Sequence, residues 1–231
     1  MGKIFKNVLL LIISLISLTG CSMSLEEERG DLMKEKTITE LQFVEDAIFN
    51  ITNKYAKGEY ETDDGLDWNS ILEDEKKINE VLETIILDLS EMNISQENLI
   101  LFSNELNNLL TVTLEENEDE LLLRAQKLYA LVPRFLNEFS DDKNEVKDKE
   151  LQDIVLSSLA FANVDEWDEA KSTIQSAIDK YNEMMNDVDY MQSRSYSLNR
   201  VYVLLGEVKN AIDLENLALV NLKVVNFIEK M

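Results

Sequence analysis

The scarcity of chain breakers constrains this sequence more than any other feature. No glycine lies between Gly65 and Gly206, and Pro133 is the only proline among 231 residues. Turns and strand ends draw on glycine and proline, so long stretches without them favour helices joined by short polar connections. The apolar residues agree. Leu41, Val44, Ile48, Ile51 and Tyr55 form one stripe at spacings of three and four, stopped by Gly58. Ile78, Val81, Leu82, Ile85, Ile86 and Leu89 form another, and no segment alternates with the period of two that marks a half-buried strand. The pattern predicts an all-α fold of about eight amphipathic helices, either stacked helical hairpins or an irregular helical bundle.

The expected boundaries follow local chemistry. A first helix starts at Thr37 or Thr39, and Gly58 to Asp67 is a loop. Ser70 with Glu73 reads as a capping box, and Asn93-Ile94-Ser95 as a break with Ser95 capping the next helix. An acidic turn covers Glu115 to Glu120. The helix through Leu121 and Leu136 is kinked or ended by Pro133, and Ser140 to Asn144 is a second loop. Four helical patterns complete the chain, at about 149–162, 165–186, 197–211 and 214–230, with Asn186 to Ser197 between helices.

Three helix starts share a spacing: an acid, then alanine, then a large residue. They are Glu120, Ala125, Tyr129; Asp165, Ala170, Ile174; and Asp213, Ala218, Leu222, offset by 45 and 48 residues. Alanines on one face let a helix approach its neighbour closely. The middle instance, Ala162-Asn163-Val164-Asp165-Glu166-Trp167-Asp168-Glu169-Ala170, resembles a tetratricopeptide turn, and the C-terminal half weakly resembles such hairpins. The offsets depart from the roughly 34-residue period of that family, so no peptide groove is carried over.

The N-terminus has another character. Lys3 and Lys6 precede an apolar run from Val8 to Leu18, too short to span a bilayer comfortably, followed by Leu18-Thr19-Gly20-Cys21. An aliphatic residue, two small ones and a cysteine match the lipobox, so this segment resembles the signal of bacterial lipoprotein precursors. The resemblance implies cleavage between Gly20 and Cys21, attachment of palmitate-type acyl chains at Cys21, and a mature protein anchored in the cell membrane facing outside the cytoplasm. The expected organisation is a signal peptide over 1–20, a lipidated N-terminus and tether over 21–36, and an acidic all-helical domain over 37–231. Candidate hairpin units fall at 95–139, 149–186 and 197–231.

Composition narrows function chiefly by exclusion. With 46 acidic and 22 basic residues, the net charge of −24 is opposed to nucleic-acid binding and favours a basic protein or peptide partner. The absence of histidine removes Ser-His-Asp and Cys-His catalysis and histidine-based zinc sites. Cys21 is the only cysteine, so once acylated it leaves no thiol for a disulfide or a metal. Carboxylates remain, but no pattern frames a catalytic pair, so no catalytic residue, metal ligand or cofactor is assigned. Asp63-Asp64-Gly65-Leu66-Asp67-Trp68-Asn69 offers oxygen ligands without EF-hand spacing and reads as a plain acidic loop, as does Glu115 to Asp119. Trp167 and Tyr181 read as core. Tyr190, Met191 and Tyr196, with Tyr202 nearby, could line a partner groove. The expected function is a membrane-anchored helical interaction or scaffold module outside the cytoplasm, not an enzyme. The alternative is a solute- or cation-binding lipoprotein serving a transporter.

Overall fold

A computed structural model describes residue 30 and residues 32–91, 96–194 and 198–231. It divides into two compact units, Met1–Thr39 and Glu40–Met231. In the first, residues 32–39 are helical, so helix occupies part of the stretch read as a tether. The lipobox and the Asn93–Ser95 break lie outside the described residues.

Among its described residues, the second unit is all-α apart from one tiny hairpin. Helix α1 covers residues 40–56. Strands β1 (Glu61–Thr62) and β2 (Gly65–Leu66) follow, paired antiparallel with Glu61 opposite Leu66. Then come α2 (Trp68–Glu91), α3 (Gln96–Leu114), α4 (Glu118–Tyr129), α5 (Leu131–Phe139) and α6 (Lys143–Asn163). The chain ends with α7 (Trp167–Met185), α8 (Val188–Arg194), α9 (Leu198–Asp213) and α10 (Leu217–Lys230).

Several local expectations are revised. Asp67, not Ser70, caps α2: its carboxylate accepts from the Ser70 amide at 3.1 Å and the Ser70 hydroxyl at 2.7 Å. An ionised oxygen three residues before the amide is the stronger acceptor. The loop at Ser140 to Asn144 shrinks because Asp142 accepts from the amides of Asn144 and Glu145, starting α6 at Lys143 rather than near 149. Pro133 divides its helix: α4 ends at Tyr129, whose carbonyl the proline ring would meet, and α5 resumes from Leu131. The segment after Asn186 holds α8, capped by Asp187.

Four helix ends share one geometry. Gly58, Glu116, Asp165 and Glu215 all have positive φ, of 69°, 54°, 59° and 51°. In each, the amide of that residue bonds the carbonyl three residues back, and the next amide bonds the carbonyl five residues before itself. This is the Schellman cap, which satisfies the orphan carbonyls of a helix end and turns the chain into the next helix. The last three caps are 49 and 50 residues apart.

Burial repeats with them. The positions three, seven, ten and fourteen before the left-handed residue are buried in all three: Thr113, Leu109, Leu106, Phe102; Ala162, Ser158, Val155, Leu151; Ile212, Val208, Leu205, Val201. So are those five, nine and twelve after it: Leu121, Ala125, Leu128; Ala170, Ile174, Ala177; Val220, Val224, Phe227. The β-hairpin lengthens the first turn by eight residues, after which Ile71, Glu75 and Ile78 take the equivalent places. Hairpins α1–α2, α3–α4, α6–α7 and α9–α10 therefore repeat one plan.

The register differs from that of the acid–alanine spacing. Ala218 and Leu222 are exposed, and Val220 and Val224 occupy the core places that Ala170 and Ile174 hold earlier. From the second hairpin onward, the first helix of each packs on the second helix of the one before: α3 on α2, α6 on α4, α9 on α7. Helix α10 also packs on α6, and Phe135 of α5 meets Phe102 of α3 edge-on at 5.7 Å between ring centres.

Candidate functional site

The repeated core makes polar intrusions conspicuous, and three features of the helical unit stand out.

The first joins α1, α4 and α6. Glu45 is 6% exposed and pairs with Lys149. The Tyr129 hydroxyl lies 3.1 Å from Glu45 Oε1 and 2.9 Å from Gln152 Oε1. A hydroxyl donates one proton at a time, so Glu45 and Gln152 compete for it unless the Gln152 amide turns over to donate instead. Burial raises the Glu45 carboxyl above its usual range, opposed by the Lys149 ammonium and the hydrogen bonds from Lys149 and Tyr129. One turn along, Gln126 donates to Asp153 at 2.9 Å, and burial pushes that carboxyl up to about 6.

The second lies between α1 and α2. A surface pocket of about 260 Å³ is lined by Phe43, Asp46, Ala47, Asn50, Asp74 and Lys77. Asp74 is saturated, accepting from Lys54 and Tyr60 on one oxygen and Lys77 on the other. Burial alone would raise its carboxyl, but those hydrogen bonds hold it below the ordinary value. Both lysines are thus spent on one carboxylate.

The third is Glu75, one residue on and facing α3. It is fully buried, bonded through Oε1 to the Thr113 hydroxyl, while Oε2 has no partner. Burial pushes its carboxyl up to about 7. Sequence reading missed it because Glu75 has no distinguishing neighbour among 46 acids; its burial shows only against the repeat.

The residues singled out from sequence scatter. Gly20 and Cys21 fall outside the described residues, as does Tyr196. Asp63 and Asp64 form the β-hairpin turn and Asp67 is consumed as a cap. Glu115 to Asn117 build the α3–α4 turn, and Glu118 and Asp119 lie in the first turn of α4. No group of three or more metal-ligating side chains converges among the described residues. Tyr181 is core, its hydroxyl bonded to the Leu198 carbonyl. Tyr190 does not line a groove: it is 1% exposed, and its hydroxyl donates to Asp148 at 2.6 Å. The Asp187 cap turns its ring inward. Met191 and Tyr202 remain exposed, Tyr202 lying 6.3 Å from Tyr181 between ring centres.

With 46 acids against 22 bases, carboxylates remain in excess after every cation is paired. Lys57, Lys147, Lys171, Lys180, Lys209 and Lys223 each pair with a carboxylate. Comparison with family models, with curated proteins and with solved structures finds no match to this chain.

Proposed function

We propose that this chain is a lipid-anchored protein of the outer face of the cell membrane, serving as a helical interaction module for a basic protein or peptide partner. The observation that carries the reading is the segment Leu18-Thr19-Gly20-Cys21 after the short apolar run. Among the described residues no helix is long and apolar enough to cross a membrane. On this reading the anchor is the acyl chains at Cys21, each buried CH2 contributing roughly 0.8 kcal/mol.

The repeated hairpins support a binding rather than a chemical role. They present a surface to solvent from a chain in which 46 acids outnumber 22 bases. The Ser70 hydroxyl on Asp67 and the Thr113 hydroxyl on Glu75 serve a helix cap and a buried helix contact, and the reading includes no catalysis and no cofactor. Metabolic labelling with a palmitate analogue tests the anchor: label incorporated by the wild type should vanish in Cys21→Ala, and the variant should leave the membrane fraction. Persistent label or membrane retention in Cys21→Ala overturns the reading. Crosslinking in the native host, with the bulk envelope as control, should then enrich a basic partner; enrichment of none removes the scaffold role.

A further inference from the structure

Glu75 occupies a place that the other hairpins fill with Ala125, Ile174 and Val224, all at most 1% exposed. It sits where α2, the second helix of the first hairpin, meets α3, the first helix of the next. The compensation for a carboxyl there is slight. Across the contact, α3 supplies only the Thr113 hydroxyl, which donates to Oε1, and Oε2 is buried without a partner. The remaining ionisable groups nearby are already engaged: Asp74 beside it binds Lys54 of α1, Lys77 of its own helix and Tyr60 of the preceding turn. None of these cations bonds Glu75. A buried carboxylate held by one hydroxyl is costly, whereas the neutral acid is tolerated.

We infer that the α2–α3 contact is a proton-sensitive joint: closed when Glu75 is neutral, and loosened when Glu75 ionises and its carboxylate seeks water. The direction follows from linkage. Burial pushes Glu75 up to about 7 from an ordinary value of 4.5. A group whose folded value is raised favours the closed state below the open-state value, and that advantage is lost as pH rises through the folded value. The window is therefore pH 4.5 to 7, with the joint fully weakened above it.

The test is amide hydrogen exchange on the full chain at pH 6 and pH 8.5, corrected for intrinsic exchange, comparing wild type with Glu75→Gln. Glutamine keeps the shape and cannot ionise. In the wild type, opening of α2 and α3 should rise about tenfold between the two pH values, the ratio expected for a carboxyl titrating at about 7 when closed and 4.5 when open. In Glu75→Gln it should be flat, and α9–α10 should be flat in both proteins. Circular dichroism at both pH values establishes that the variant folds. Should it fail to fold, Thr113→Val replaces it and must steepen the rise by removing the one hydrogen bond. An equal rise in Glu75→Gln, a flat wild type, or an unchanged slope in Thr113→Val overturns the joint.

Discussion

The left-handed caps allow a direct prediction about stability. Gly58 takes its φ of 69° without strain, but Glu116 and Glu215 adopt 54° and 51° with a Cβ. That conformation costs an ordinary L-residue about 1–2 kcal/mol. Glycine removes the strain but adds about 0.5–1 kcal/mol of unfolded-state entropy. The net gain for Glu116→Gly or Glu215→Gly is thus about 0.5–1 kcal/mol. Asp165, also left-handed at 59°, should gain less, because aspartate tolerates the region better. The turns belong to different hairpins, so Glu116→Gly with Glu215→Gly should add to about 1–2 kcal/mol. For a unit of this size that raises Tm by about 2–8 °C in a thermal melt. Glu116→Ala is the decisive control. It removes the same charge and keeps the strain, so it should not stabilise. If Ala raises Tm as much as Gly, charge rather than backbone governs these turns and the reasoning is refuted.

Further outcomes follow from the core. Lys149→Met leaves Glu45 buried without its cation and should lower stability by about 3 kcal/mol in a urea titration, with much of the loss recovered by adding Glu45→Gln. Asp153→Asn should stabilise by about 1–2 kcal/mol at pH 7.5 and little at pH 4. Its folded value of about 6 exceeds the ordinary 3.8, so the acid form favours folding and that advantage disappears as pH rises through 6. Ala170→Leu inserts a large side chain at a fully buried repeat position and should cost about 1–3 kcal/mol by thermal melting. A Tm unchanged by that substitution would mean α7 does not pack as described.

The apolar stripes of α1 and α9 are legible in the sequence because burial of a stripe and its spacing are the same fact seen twice. Leu41, Val44, Ile48 and Ile51 recur at helical period and are all at most 1% exposed. What escaped notice was local and polar. Asp67 and Asp142 begin helices through single carboxylate bonds, which one acid among many does not advertise. An aromatic in a short polar stretch, such as Tyr190, looks the same in sequence whether an aspartate cap turns it inward or leaves it in water. The candidate site was barely legible. Neither Glu45 nor Glu75 differs in sequence from the acids that face solvent.

The division has a physical basis. Helix content depends on neighbours along the chain: the absence of glycine and proline, and apolar residues every three or four positions, sufficed for an all-α fold. The composition also decided the chemistry closed to this protein, since no packing can create a histidine or a second thiol. Register between hairpins was decided only by the tertiary structure. It depends on which residue turns left-handed at each helix end, and three of the four are acids rather than the glycine that would have marked them. The tertiary structure also decided which carboxylates lose water, because burial belongs to the contact between α2 and α3, or between α1, α4 and α6, and to no single residue.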